Sequence, residues 1–135
     1  MQAEERRVLS TVRLEAAQDC LDTAKAMLSL EKYKGAANRC YYAVFHAMRA
    51  VLALNEIDMK HHSGIISEFR RHYVKSGIFD SRMSDIINEV YDIRTDSDYN
   101  DFYVISKSEV TEQVANAEYF LEEVKKYLMS ERQLS

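Results

Sequence analysis

The chain has 135 residues, a length that suits one domain with a modest core. Apolar residues make up 47% and charged residues 30%, the balance of an ordinary globular protein rather than a membrane or disordered one. Twenty-two acidic residues against 18 basic ones give a net charge of -4, which excludes a generic nucleic-acid coat but leaves room for a local basic site.

With no proline, no tryptophan and three glycines, little interrupts the backbone, and long helices are expected. The first helix is expected over roughly Glu4 to Leu30. Its apolar stripe is Leu9, Val12, Ala16, Cys20, Ala24 and Met27, stepping by three or four. The second runs from about Lys32 to Leu54, with Ala37, Cys40, Val44, Met48 and Val51 on one face, widened by Tyr41 and Leu52. Gly35 and Ala36 are small enough to let a neighbouring backbone pass close. Cys20 and Cys40 sit inside these stripes without metal-type spacing, and read as small buried hydrophobes of a reducing compartment.

After a connection over Asn55 to Lys60, a shorter helix is expected from about Gly64 to Ser76, with Ser63 as N-cap and Gly77 as stop. A fourth starts after Asp80 or Ser81 and runs to about Ser97. Its stripe of Met83, Ile86, Ile87 and Val90 continues into Arg94, Ser97 and Asp98, so ionisable groups prolong an apolar face. Tyr99 to Ile105 leaves the helix. Ser106 and Glu109 then form a capping box, S-x-x-E. The last helix carries the seam Val110, Val114, Ala117, Leu121, Val124 and Leu128. Together these predict an all-α, up-and-down bundle of four or five helices in one domain over residues 1–135. No run reaches membrane-spanning length and the N-terminus has no apolar signal core, so a cytoplasmic location is expected.

Several constellations could carry chemistry. Arg39, Tyr42, His46 and Arg49 share one face of the second helix. Spacing alone favours a partly solvated surface there over a polar cleft. Arg94 and Asp98, four apart, would ordinarily be a surface pair worth a few tenths of a kcal/mol. Their place on the inner stripe raises them above that, because a charge near a core is costly without a partner or a task. An arginine suits phosphate through its fork of donors, and Tyr99 and Tyr103 could stack on a base. The bland alternatives are a helix already leaving the core and a pair buried against a second subunit.

Asp92, Asp96, Asp98 and Asp101 invite a magnesium reading but point in different directions, and a solvated acidic turn fits them better. No Glu-x-x-His pair supports a di-iron bundle. Lys60, His61, His62, Arg70, Arg71, His72 and Lys75 form the one basic region. Adjacent histidines are weak evidence for zinc. A phosphate-meeting patch is the better functional reading, and an ordinary charged surface the better prior. No Gly-rich phosphate loop, nucleophile elbow or Walker sequence occurs. No metal or cofactor is expected.

Three stretches become recognisable together: AANRCYYAVFHAMRAVL, Ala36 to Leu52; KHHSGIISEFRRHYVKSG, Lys60 to Gly77; and IRTDSDY, Ile93 to Tyr99. In order and wording they resemble the HEPN domain (higher eukaryotes and prokaryotes nucleotide-binding), in its small stand-alone bacterial and archaeal branch. R-x-x-Y-Y-A-x-F-H-A, from Arg39 to Ala47, and R-x-x-x-D-Y, from Arg94 to Tyr99, carry most of the resemblance. It implies a helical bundle that dimerises, with a polar cleft where the motif helices of two subunits meet. It implies a nucleotide or RNA ligand and a minimal nucleotidyltransferase as partner in a toxin–antitoxin or defence system.

On this resemblance Arg94 contacts phosphate, Asp98 orients Arg94 or a ligand hydroxyl, and Arg39, Tyr42 and His46 form the opposing wall, with Tyr99 nearby. Active members are metal-independent endoribonucleases with a histidine after the arginine. This chain departs from that motif, because the histidine window holds Tyr99, Asn100 and Asp101. His46 would have to substitute, and a divergent endoribonuclease and a non-catalytic dimerisation module remain as alternatives. In some relatives the partner adenylylates a tyrosine just after the motif. Tyr99 and Tyr103 lie in that neighbourhood without matching it residue by residue.

Overall fold

The structure, a computed structural model, describes residues 2–59 and 61–134. Lys60, part of the basic cluster in the sequence, lies outside the described residues. The elements are helix α1 (Ala3–Ser29), α2 (Tyr33–Ala53), α3 (His62–Phe69), a π-helical turn (Arg70–Val74), α4 (Arg82–Tyr99) and α5 (Lys107–Leu134). Among the described residues there is no strand, as the helical periodicity predicts. No helix among them is long and apolar enough to cross a membrane.

Helix α2 is the centre of the bundle and packs against α1, α3, α4 and α5. Thirteen of its 21 residues are buried, so it is dry nearly all round. Six of the thirteen are alanines, which let neighbouring helices approach closely. Gly35 serves the same end at one point: a Cβ there would meet Met27 Sδ at 2.8 Å. The α5 seam packs as its spacing predicts, with Val110, Val114, Ala117, Leu121, Val124 and Leu128 all buried. Phe69, Tyr73, Phe79, Phe120 and Tyr127 form an aromatic cluster with ring centroids 5.4–6.2 Å apart. Burying a phenylalanine side chain contributes about 1.5–3 kcal/mol.

Three local expectations are corrected. In α1 the buried face is Ser10, Arg13, Ala17, Cys20, Leu21 and Ala24, whereas Val12 is 55% exposed. The apolar residues of α1 fall on two registers, and the inward one includes a serine and an arginine. Arg13 can face inward because Asp58 lies 3.3 Å from its Nη2 and the carbonyl of Arg49 accepts from its Nη1 at 3.2 Å. Arg49 shares the same carboxylate, at 3.3 Å. Secondly, Ser63 is not an N-cap: α3 already starts at His62, and extended His61 precedes it with no side-chain cap. Thirdly, α4 continues to Tyr99 rather than stopping at Ser97.

The helix ends are specific. The capping box forms in full: Glu109 N–H donates to Ser106 Oγ at 3.1 Å, and Ser106 N–H donates to Glu109 Oε1 at 3.2 Å. Gly77, at φ 86°, ends the segment after the π turn. Both α1 and α2 end in Schellman motifs. Lys32 N–H reaches the Met27 carbonyl at 2.8 Å and Glu31 N–H reaches that of Leu28 at 3.0 Å. Ile57 to Leu52 at 3.1 Å and Glu56 to Ala53 at 3.2 Å repeat the pattern. The left-handed residues are Glu31 (φ 60°) and Glu56 (φ 57°), where glycine is usual.

Candidate functional site

Where the dry stripe of α4 runs out, Arg94 turns back toward α2. Its guanidinium lies 4.9 Å from the Tyr41 ring centroid and 5.5 Å from that of Tyr42. Both distances are within cation–π range, and ring faces replace part of the hydration the cation has lost. Its Nη2 donates to Tyr42 Oη at 3.4 Å, a long bond. Its Nε lies 3.3 Å from Asp98 Oδ2 but is buried without the geometry of a hydrogen bond. The side chains of Arg94 and Asp98 are 18% and 23% exposed, so the pair is mostly covered and still reachable. Arg94 is thus positioned more by aromatic faces than by strong bonds, and much of its donor fork remains uncommitted.

The sequence-predicted wall on α2 is brought together in part. Arg39 also lies over the Tyr42 ring, 5.1 Å from its centroid, so one phenol meets two guanidiniums. Arg39 also donates to Asn38 Oδ1 at 2.8 Å, which fixes its direction. The His46 ring lies 6.1 Å from that of Tyr42 and 5.9 Å from that of Phe45, and His46 makes no hydrogen bond among the described residues. Burial, and then the charges of Arg49 and Arg39, hold its imidazole below the usual histidine range. Arg49 turns away to Asp58. Tyr99, at the end of α4, is 75% exposed and takes no part in the ring contacts around Arg94.

Sequence reasoning missed two members of this constellation. Tyr41 is 1% exposed, and its hydroxyl shares a hydrogen bond of 2.8 Å with His62 Nδ1 at the start of α3. The His62 ring also packs against Phe45, centroids 4.0 Å apart. Burial, opposed by Arg94, pushes the Tyr41 phenol up to about 12, so it stays protonated at neutral pH. Burial, then Arg94 and Arg49, hold His62 below the usual histidine range. A buried tyrosine needs a partner for its hydroxyl, and that was the available signal. Nothing in the spacing named His62 as the partner, 21 residues away.

Other sequence candidates separate. Among the four acids only Asp98 joins Arg94, and among the described residues no group of three His, Cys, Asp or Glu converges on a common point. His72 pairs with Glu68 at 2.8 Å on the outer side of α3. Cys40 is inert, its thiol pushed up to about 12 by burial.

Comparison with known proteins identifies the family. The HEPN domain family model matches residues 10–127. A "Putative toxin MJ0142" of Methanocaldococcus jannaschii is 32% identical over 117 residues, covering 87% of this chain and 80% of the relative. A "UPF0332 protein" of Thermotoga maritima is 31% identical over 112 residues, 83% of this chain and 85% of the relative. A second M. jannaschii protein, "Putative toxin MJ0605", is 30% identical over 115 residues and covers 85% of each chain. The matched span includes α2, α3 and α4 whole, and with them every residue around Arg94. The chain belongs to the HEPN domain family.

Proposed function

We propose that this protein is a toxin-type HEPN protein that binds a nucleotide or RNA phosphate with Arg94, in a cleft completed by a second copy of the chain. The observation that carries the reading is the Arg94 guanidinium itself. It is held on tyrosine faces, mostly covered, and paired to one carboxylate at 3.3 Å. That arrangement leaves planar donors for a phosphate. Asp98 orients the guanidinium; Arg39, Tyr42 and His46 form the facing wall. The names of the M. jannaschii relatives support the toxin role. A nucleotidyltransferase partner rests on the family resemblance. A second copy of the chain would also cover the exposed apolar residues that follow Asp98 in sequence, where Tyr99 is 75%, Phe102 95% and Val104 85% exposed.

A second reading, a divergent endoribonuclease, is favoured by His62. The window after Arg94 holds no histidine, yet the His62 imidazole bonds Tyr41, whose ring lies against Arg94. In such a cleavage a ribose 2′-hydroxyl attacks the adjacent phosphorus and loses its proton to a base. The P–O5′ bond breaks, and the leaving oxygen takes up a proton. Arg94 would spread the charge on the phosphoryl oxygens, and His62 or His46 would handle a proton.

The test is incubation of purified protein with total cellular RNA, with and without EDTA, beside Arg94→Ala, together with titration of labelled nucleotide and RNA. Binding lost in Arg94→Ala without cleavage supports the first reading. EDTA-resistant cleavage lost in Arg94→Ala and His62→Gln supports the second. Equal binding by Arg94→Ala sinks both, and a monomer by light scattering at micromolar concentration removes the shared cleft.

A further inference from the structure

Beside the Arg94 site, α3, the π turn and α4 enclose an open groove of about 810 Å³. That volume is in the range of ligand-binding clefts. Three cations line it, Arg70, Arg71 and Lys75, against one carboxylate, Asp92. The protein as a whole carries -4, so this concentration of positive charge runs against the composition.

The π turn is what gathers the cations. Lys75 N–H donates to the Arg70 carbonyl, five residues back, at 2.8 Å. In an α-helix residues five apart face different sides; a π turn brings them back close to one face. Phe69 and Tyr73 stay in the core, while Arg70 and Lys75 both reach the groove. Arg70 braces the wall: its Nη2 donates to Asn88 Oδ1 at 2.6 Å and to the Ser84 carbonyl at 3.3 Å on α4. Arg71 and Lys75 have no side-chain partner among the described residues, and neither does Asp92. The start of α3 also borders the groove and adds the positive end of a helix.

The groove is not only cationic. Tyr91, 44% exposed, presents a ring on the α4 wall, and the largely buried Ile66 and Ile87 lie beneath the groove. The Tyr91 ring lies 6.1 Å from that of Tyr41, which in turn touches Arg94. The groove and the Arg94 site are thus neighbours joined through the buried Tyr41 ring, whose hydrogen-bond partner His62 lines the groove. From His62 to Lys75 it extends roughly 15–20 Å at about 1.5 Å per residue, longer than a single nucleotide needs.

From this geometry we propose that the groove between α3, the π turn and α4 holds a single-stranded nucleic acid, with Arg71 and Lys75 on successive phosphates and one base stacked on Tyr91. The strand would lead from the phosphate held at Arg94; in that respect the proposal rests on the reading of the Arg94 site. A bare cation patch would suit any polyanion. The exposed ring beside it selects an anion that also carries flat bases.

The test is fluorescence anisotropy of labelled ten-nucleotide oligo-rU and oligo-dT with full-length protein at several salt concentrations. The charge reversal R71E/K75E alters two exposed side chains, and circular dichroism verifies its folding. It is expected to weaken binding at least tenfold and to lower the salt slope by about 1.4, at about 0.7 per lost phosphate contact on a single strand. Tyr91→Ala is expected to weaken binding roughly 5- to 160-fold with the salt slope unchanged. Unchanged affinity and slope in R71E/K75E would overturn the proposal. So would displacement of the strand by ATP at its own concentration, marking a mononucleotide site, or by polyglutamate, marking an unselective cationic surface. Arg94→Ala separates the two ideas. Loss of binding there with none in R71E/K75E removes the groove and keeps the Arg94 site; the converse keeps the groove and removes that site. Wild type that binds free nucleotide but neither oligonucleotide also removes the groove alone.

Discussion

The two halves of α4 are built from one continuous helix and do opposite work. Its first half buries Met83, Ile86, Ile87 and Val90, each at 2% exposure or less. Its second half keeps the same angular register and places Arg94, Ser97 and Asp98 there instead. The first half is held by dispersion and exclusion of water, which tolerate no void. The second is held by ring faces around a cation and by an ion pair at 3.3 Å, which leave donors available. A helix can thus pass from core to site without changing its backbone. The change is made by the side chains, and by the tyrosines α2 offers opposite them.

The contrast can be broken experimentally, beginning with the largest effect. Ile86→Ala is expected to cost about 2–5 kcal/mol, since a fully packed residue leaves a cavity. Urea denaturation would show a lower midpoint with an unchanged slope, and ligand binding by the remaining folded protein should persist. Arg94→Ala is expected to show the reverse: about 1 kcal/mol or less in stability, with phosphate-ligand affinity reduced at least tenfold. If Arg94→Ala cost as much stability as Ile86→Ala, the second half of α4 would be core after all.

The smallest expected effect is that of pH. His46 and His62 both have pKa values held down in the fold, chiefly by burial. The folded state then binds fewer protons than the unfolded one, whose histidines titrate near 6.5. Their contribution is present above that value and is lost as the pH falls through it toward the folded values. Tm should therefore be lower at pH 5.5 than at 7.5, and His62→Gln should narrow the difference. Ile86→Ala should lower both Tm values and leave the gap between them as it was.

The same contrast explains how much the sequence revealed. The α5 seam was legible because each of its six positions is apolar and buried, so one periodicity accounts for all of them. In α1, two registers of apolar residues compete. Arg13 settles the outcome through Asp58, 45 positions away and beyond the reach of a helical-wheel argument. The position of Arg94 on an inner stripe was visible, and so were Tyr42 and Arg39 facing it. Tyr41 and His62 were not paired in advance, because their contact depends on how α3 docks on α2. The π turn left no pattern either, since its spacing reads as an ordinary helix until the docking of Phe69 and Tyr73 is known.

The two glutamates that end α1 and α2 have a consequence for engineering. Glu31 and Glu56 sit at φ 60° and 57°, a backbone shape that an L side chain resists and glycine does not. The fold thus keeps a reserve of stability that one codon change could release. Glu31→Gly is the cleaner choice, since Glu56 also pairs with Arg6 at 3.4 Å. It is expected to raise stability by about 0.5–1 kcal/mol, measurable as a higher Tm. A chain stabilised at that turn, far in sequence from Arg94, would tolerate more substitutions around the site, which makes it a suitable parent for mutagenesis there.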